Sequence, residues 1–583
     1  MVAKSTFEIA ISEPRTHIRV TLPTGDVLEA PVNTPIMYFL EANRRNHPQL
    51  YNNEIMGGIL NGRLRELAYE VQHDSTLAPV LHSTSDGGRI YRRSLTLLLT
   101  AAVDEVFPGV KVGVKHSIPE GGYYCELRNR EPFTPAELEQ LSARMHAIAA
   151  ADEPITKRVV PLTEALSLFQ ARQADDKLRL LEQRTRDDLT LYQLRSRTDY
   201  YFGYMLPSTK YLTDFWLTHT AEGFILRFPR SDSPTELQTE TQNTKLTDIF
   251  RETNKWLQVL GVEDIGRLNH ITRAGRSAEL ILVAEALHEK RVAYIAEQIY
   301  NGYQNGDRRV VLIAGPSASG KTTFAKRLAV QLLASGLRPF ALELDNYFVD
   351  RDATPRDASG EYDFEALGAL NVARFNEDLL KLTAGQQVQL PRFDFISGKS
   401  VPGIMAQLDE NQVLIIEGIH GLNPELVPSL PQDTIYRVYV SALTQVNVDA
   451  HNRVPTTDVR LLRRIVRDAR NRGYTATDTL QRWGSVRRGE KRNIFPHQEN
   501  ADIMFNSALV YELTALRPLT EPLLRQVKPN TPAHIEANRL LSFLGWVRPL
   551  SKEEITTIPD TSLLREFIGG SNLEHYHPDT LSG

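Results

Sequence analysis

The stretch RRVVLIAGPSASGKTTFAKRLAVQLLASG, from Arg308 to Gly336, limits the fold of this chain more than any other. Val310 to Ala314 form an uninterrupted apolar run of strand length, the pattern of a parallel strand buried on both faces. The residues that follow, Gly315, Pro316, Ser317, Ala318, Ser319, Gly320, Lys321 and Thr322, have the spacing of a phosphate-binding loop. Its glycines let backbone N–H groups close around phosphate oxygens. A helix comes next, with Phe324, Leu328 and Leu332 on one face and Gly336 at its end. The N-terminus of that helix adds partial positive charge at the same place. In such a loop Lys321 reaches the β- and γ-phosphates, and the Thr322 hydroxyl ligates Mg²⁺. Gly315 through Thr323 are therefore the expected nucleotide-binding residues. The alternative, a glycine-rich turn that holds no nucleotide, gives no reason for the strand before it and the helix after it.

Strand-like runs recur at Phe340–Leu344, Val413–Ile416 and Ile435–Val440, with helical stretches between them. That alternation implies a mostly parallel sheet with helices on both faces, which binds ligands at the carboxyl ends of its strands. Asp345 and Glu417 lie there. Asp345 suits the orientation of an acceptor hydroxyl and the acceptance of its proton. Phosphoryl transfer runs through a loose transition state, so an aspartate of ordinary pKa suffices. A second Mg²⁺ ligand or a helix cap is the alternative for Asp345. Glu417 stands where an acid holding the metal is expected, and a buried glutamate paired to an arginine is its alternative. The acidic and aromatic loop after Asp345 points to an organic acceptor rather than water.

Further on, Arg460, Arg464, Arg467 and Asn471 fall on one helix face, with Arg463 and Arg470 adjacent. Leu461, Leu462, Ile465, Val466 and Ala469 form the apolar side. A solvated basic face is the ordinary explanation of such a run. Beside a phosphate loop, the same cations suit the charge that develops on a transferring phosphoryl group. Arg464 and Arg467 are the chosen catalytic candidates, with Arg472 next, at the nucleotide.

Residues 308 to about 525 resemble the uridine kinase and phosphoribulokinase family in four segments beyond the loop. LDNYF resembles its strand-end aspartate followed by aromatics, which implies a substrate contact for Phe348. YDFEAL implies Phe364 near a base and Glu365 on ribose hydroxyls. LPRFDFISGKS implies base contacts from Phe393 and Phe395, and RLLRRIVRDARNRG resembles the lid. The resemblance implies an ATP- and Mg²⁺-dependent nucleoside kinase, uridine/cytidine kinase-like, that phosphorylates a 5′-hydroxyl. Three positions depart from it. Gly398 stands where a base-reading histidine is usual, Tyr474 replaces an arginine after the lid, and Phe393 replaces a tyrosine. Losing polar partners changes discrimination strongly, so a nucleoside-like hydroxyl is a firmer expectation than uridine.

The N-terminal half has a different character. HIRVTLPTGDVLEAPV alternates on both sides of Pro23-Thr24-Gly25-Asp26, a hairpin pattern. A helix is expected from Thr34 with Pro35 at its first position. Residues 14 to 78 resemble a TGS-type β-grasp module. Arg92–Leu127 and Asp199–Arg230 resemble the second additional domain of threonyl- and alanyl-tRNA synthetases, the part that hydrolyses mischarged tRNA. Where that domain carries a pair of histidines one helical turn apart, and then a Cys and a His, this chain has Arg93, Leu97, Tyr201 and Met205. None of these ligates zinc. A scaffold or binding role is expected in place of editing.

The expected organisation is α/β multidomain: a β-grasp at 1–78, an α+β synthetase-editing-like domain at 79–230, and a linker with helical connector at 231–306. A P-loop kinase domain with a mostly parallel sheet follows at 307–525, then a C-terminal extension at 526–583. A length of 583 residues agrees with about three to five domains. The net charge of −5 gives no global reason to bind nucleic acid or an anionic membrane, and the single cysteine, Cys125, rules out a disulfide framework. The longest apolar run, near Leu95–Val103, is roughly half of what a bilayer span needs. The expectation is a cytoplasmic homo-oligomer with no membrane contact. A regulatory P-loop NTPase bound to RNA or the ribosome is the competing function. Seven Lys/Arg against nine Asp/Glu in residues 1–80 offer it no phosphate-tracking surface, although shape recognition needs little net charge.

Overall fold

The computed structural model describes residues 13–239, 243–306, 308–357, 360, 362–394, 396–444 and 446–577. The chain forms two compact units. The first comprises Met1–Leu162, Asp188–Glu240 and Pro529–Ile535, and the second Thr163–Asp187, Thr241–Lys528 and Glu536–Gly583.

In the first unit, alternation at His17–Thr21 and Val27–Pro31 becomes an antiparallel hairpin, with Ile18 and Val20 buried and Gly25 left-handed in the turn. That hairpin joins Ser75–Leu81, Ile55–Leu60 and Arg63–Arg65 in one sheet. Helix Ile36–Asn46 closes its core with Ile36, Phe39 and Leu40. The helix starts after Pro35 rather than at Thr34, because Thr34–Pro35 pair with Glu70–Val71 instead. A second core lies between helix Ser85–Val106 and a sheet ordered Trp216–Thr220, Gly223–Arg227, Gly122–Leu127, Val112–Ile118. Leu97, Tyr201 and Met205 belong to that core, and half-buried Arg93 donates to the Tyr204 carbonyl. The positions of the synthetase zinc ligands are thus filled by packing.

The second unit is built on five parallel strands: β1 (Val310–Ala314), β2 (Arg338–Glu343), β3 (Gln412–Glu417), β4 (Ile435–Ser441) and β5 (Ile503–Asn506), in the order β2-β3-β1-β4-β5. Strand β1 is buried along its whole length, as its apolar run requires. Helix α1 (Lys321–Ala334) follows the loop, and α2 (Thr456–Asn471) and α3 (Ala476–Asn493) carry the basic segments. The stretch from Trp483 to Leu509, rich in basic and aromatic residues, completes this fold as the end of α3 and β5.

Segments outside the expected kinase boundaries also enter this unit. Helix Thr244–Leu260 begins within the expected linker and buries Leu246, Ile249 and Phe250 in a cluster with Ala314 and Tyr439. The connector helix Ser277–Gly306 ties to α1 through Glu289 and Arg327, 2.6 Å apart. Thr163–Asp187 joins through a fully buried Lys177–Asp449 pair at 3.1 Å and the Ala450 N–H donating to Asp176 at 2.7 Å. Local periodicity cannot reveal which core a short helix will serve. Among the described residues, no helix is long and apolar enough to cross a membrane.

The phosphate loop runs so close to β4 that a Cβ at Gly315 would overlap the Val440 carbonyl oxygen. Gly315→Ala is expected to lower the stability of the second unit by about 1–3 kcal/mol, the usual effect of overpacking. A denaturant titration followed by fluorescence checks this, and an unmoved midpoint counts against so tight an approach.

Candidate functional site

The loop between β1 and α1 presents its donors at the carboxyl edge of the sheet, beside the gap where strand order reverses between β1 and β3. Gly320 and Ala318 hold left-handed conformations, φ 86° and 57°. For Ala318 that costs about 1–2 kcal/mol, strain of the kind stored at functional turns. Lys321 Nζ donates back to the Pro316 carbonyl at 3.3 Å, folding the ammonium over the loop. The Thr322 hydroxyl donates to Glu417 Oε1 at 2.9 Å, so the two expected metal-holding groups are neighbours. Both offer hard oxygen, the donor set Mg²⁺ prefers. Thr323 donates through its N–H and its hydroxyl to Glu566, at 3.2 and 2.9 Å.

Strand β2 ends at Glu343, and a 3-10 turn, Leu344–Tyr347, carries Asp345 to the same edge. No side chain caps that turn. Asp345 is open to the cleft, yet the protein around it strips enough hydration to raise its carboxyl above the ordinary aspartate value, against the pull of Lys321 and Arg472. An ordinary pKa would have sufficed for the role considered above; the upward shift comes from surroundings that the strand pattern does not show. Burial likewise pushes Glu417 up to about 7, opposed by Lys321 and reinforced by Glu566 and Asp345. Glu417 accepts from Thr322, so the arginine partner of the structural alternative is not its hydrogen-bond donor. Burial also raises Glu365 to about 7, helped by Glu490 and opposed by Arg464 and Lys321. Lys321, Asp345, Glu365, Glu417, Arg464 and Arg472 are thus brought within one electrostatic neighbourhood.

The arginines of α2 divide by burial. Arg460 and Arg463 are fully buried and pair with Glu490 and Glu512, the latter at 2.6 Å. The ordinary explanation, a solvated basic face, does not hold for these two, which fasten α2 to the domain: Arg460 Nε also donates to the Ser317 carbonyl at 2.9 Å. Arg464 Nη1 reaches the Ser317 hydroxyl at 2.9 Å. Arg464, Arg467 and Arg472 gather on buried Asp468 at 3.2, 3.0 and 3.8 Å, with Arg472 half exposed.

Phe348 meets Phe393 and Phe364 edge-on, at centroid distances of 5.5 and 6.3 Å. Phe393 is buried and Phe364 is 41% exposed, so Phe364 is the ring that offers a free face. Phe395 lies outside the described residues. Gly398 leaves room that Arg351 fills, and the Arg351 N–H donates to the Gly398 carbonyl at 2.8 Å. Helix α3 clamps this loop through Arg492 with Asp363, and through Asn493 Nδ2 donating to the Glu365 carbonyl at 2.6 Å. Sequence reasoning missed Glu490, Asp468 and Glu566. Glu490 and Glu566 are acids whose partners lie far away in sequence, whereas Asp468 stands within one helical turn of its arginines, a spacing the sequence did carry.

A parallel sheet of this order, with a strand–glycine loop–helix at its centre and acids at the neighbouring strand ends, defines a P-loop nucleotide-binding domain. Residues 310–513 match the family described as phosphoribulokinase / uridine kinase. The N-terminal region matches threonine–tRNA ligases. That of Burkholderia multivorans is 35% identical over 170 residues, 29% of this chain and 27% of the ligase. The chain therefore spans about a quarter of the length of the curated relatives it matches. Among solved structures, a possible uridine kinase from Bacillus stearothermophilus is 21% identical, with TM-score 0.24, covering 37% of this chain and 97% of that one. D-glycerate 3-kinase from Cryptococcus neoformans var. grubii is 16% identical, with TM-score 0.24, covering 37% and 87%.

The raised carboxyls give a pH signature. Between 4.5, the ordinary glutamate value, and about 7, the folded protein keeps a proton on Glu417 that the unfolded chain has released. Its contribution therefore favours folding at the acid end and is lost as pH rises through about 7. Glu417→Gln, without ligands, is expected to gain melting temperature relative to the parent between about pH 5 and about pH 8. A pH-independent difference between the two proteins would remove Glu417 as the source.

Proposed function

We propose that the second unit is an ATP-dependent kinase that transfers the γ-phosphoryl group to the 5′-hydroxyl of a uridine- or cytidine-like nucleoside. The observation that carries this reading is the grouping of Lys321, Asp345 and Arg472 at the end of the phosphate loop, next to an aromatic-walled cleft. Gly315–Thr323 cradle the phosphate chain, and Arg472 lies along it. Thr322 and Glu417 would hold Mg²⁺, which supplies charge neutralisation on the phosphate oxygens. Asp345 orients the acceptor hydroxyl and takes its proton. A carboxyl raised by its surroundings is the better base for this step, because its affinity for the proton is higher. Lys321, Arg464 and Arg467 stabilise the charge on the transferring group.

Phe348, Phe364 and Phe393 supply the wall for a planar base, with Phe395 assigned to the same wall by family resemblance. Glu365, poised near neutrality, can accept from a ribose hydroxyl when ionised. Arg351 packed on Gly398 places a guanidinium where the family's histidine is usual, which supports a changed base preference. The proposed setting is the cytoplasm, and the synthetase-like first unit leaves an RNA contact as the alternative partner.

Two measurements test the reading. ADP release with Mg²⁺-ATP is expected to rise sharply with one member of a panel of nucleosides and small sugars. Acceptor-independent hydrolysis, stimulated by RNA instead, would overturn the kinase in favour of an RNA-linked switch. Asp345→Asn is expected to lower acceptor-dependent turnover by about 10²–10⁴-fold, the range for a positioned acid–base group, with ATP binding retained. Near-normal transfer by that variant removes Asp345 from its role.

A further inference from the structure

The first turn of α1 has no cap of its own, because Gly320 carries no side chain. Its third residue, Thr323, spends both of its donors on one carboxylate oxygen, Glu566 Oε2, at 3.2 Å from the N–H and 2.9 Å from the hydroxyl. Glu566 comes from the C-terminal turn Arg565–Ile568, well outside the family-matched span of 310–513. An anion is favoured at a helix N-terminus, so the contact needs no further partner to form.

Packing delivers this carboxylate; it is not carried on a loose tail. Leu563, Leu564 and Phe567 are fully buried, and the guanidinium of Arg463 lies 5.0 Å over the Phe567 ring. The Ser562 hydroxyl donates to Glu285 at 2.5 Å, and Lys326 Nζ donates to the Leu573 and Glu574 carbonyls at 2.8 and 3.0 Å. Leu563 also closes on Gly320, where any Cβ would overlap it.

We propose that Glu566 is a residue of the nucleotide site: it holds the Thr323 donors that a bound phosphate would take, and so sets nucleotide affinity by competition. A backbone N–H carries one hydrogen and a threonine hydroxyl one more, so neither donor can serve two anions fully. A phosphate arriving at the first turn of α1 must move the carboxylate aside or accept its repulsion, since juxtaposed like charges weaken binding. Proximity of Glu566 to Glu417, whose carboxyl it helps to raise, puts the same charge beside the metal-holding acid. Mg²⁺ with the nucleotide would offset both. This inference rests on the reading of Gly315–Thr323 as a nucleotide cradle.

The test is calorimetry of a non-hydrolysable ATP analogue with Mg²⁺, on the full chain and on Glu566→Gln. The variant is expected to bind about tenfold tighter or more, since it keeps the shape and loses the charge. Equal or weaker binding by a folded variant overturns the inference alone. Failure of both proteins to bind overturns the cradle reading and this inference with it. A second measurement uses the unaltered chain: the analogue should raise amide hydrogen exchange across residues 562–574 as the segment is displaced. Unchanged or slowed exchange there counts against competition, whether or not the variant folds.

Discussion

Carboxylates crowded at one edge of a parallel sheet govern this site. Asp345, Glu365 and Glu417 converge around a single loop lysine, each held more protonated than in water, and Glu566 stands beside Glu417. Burial is the leading cause in every case, and mutual repulsion adds to it for Glu365 and Glu417. Such a cluster is short of positive charge. Magnesium, and the lid arginines drawn toward a phosphate chain, are what this chemistry calls for. Ligand binding and charge balance are then the same event, which is how a static edge of acids becomes a phosphoryl-transfer site.

The same logic explains why the arginines of one helix do different jobs. Arg460 and Arg463 are dry, and a dry guanidinium without a partner is prohibitively costly, so each owns a glutamate. Arg464, Arg467 and Arg472 share Asp468 among three, which leaves net positive charge facing the cleft. Sharing an acid holds the side chains in place without neutralising them. A phosphoryl group in transit can then draw on charge that is already oriented.

The parallel core was legible because buried strands read as unbroken apolar runs, and Val310–Ala314 through Ile435–Val440 were found within a residue or two. The loop, Asp345 and Glu417 followed from strand ends. What stayed hidden was tertiary. Nothing local distinguishes Arg460 from Arg464, since they lie on the same face one turn apart; only Glu490, thirty positions away, decides which is structural. The pKa of Asp345 depends on walls contributed by separate segments. Residues 163–187 fall inside the expected synthetase-like domain, yet they belong to the second unit, because Lys177 finds Asp449 there.

These long-range closures bear on where the kinase domain ends. The family-matched span supplies the sheet, the loop and the acids, but leaves the first turn of α1 uncapped and its flank bare. Residues 562–574 close that flank with Leu563, Leu564 and Phe567, and the connector helix braces the other side of α1 through Glu285 and Glu289. Glu285 takes hydrogen bonds from both Tyr511 and Ser562, so a single buried carboxylate joins connector, family-matched core and C-terminal segment. The phosphate loop meets the C-terminal segment where Leu563 closes on Gly320, and the helix that follows the loop is braced by the connector. The packed unit is therefore larger than the family-matched span, and the first turn of α1 is closed by sequence outside that span.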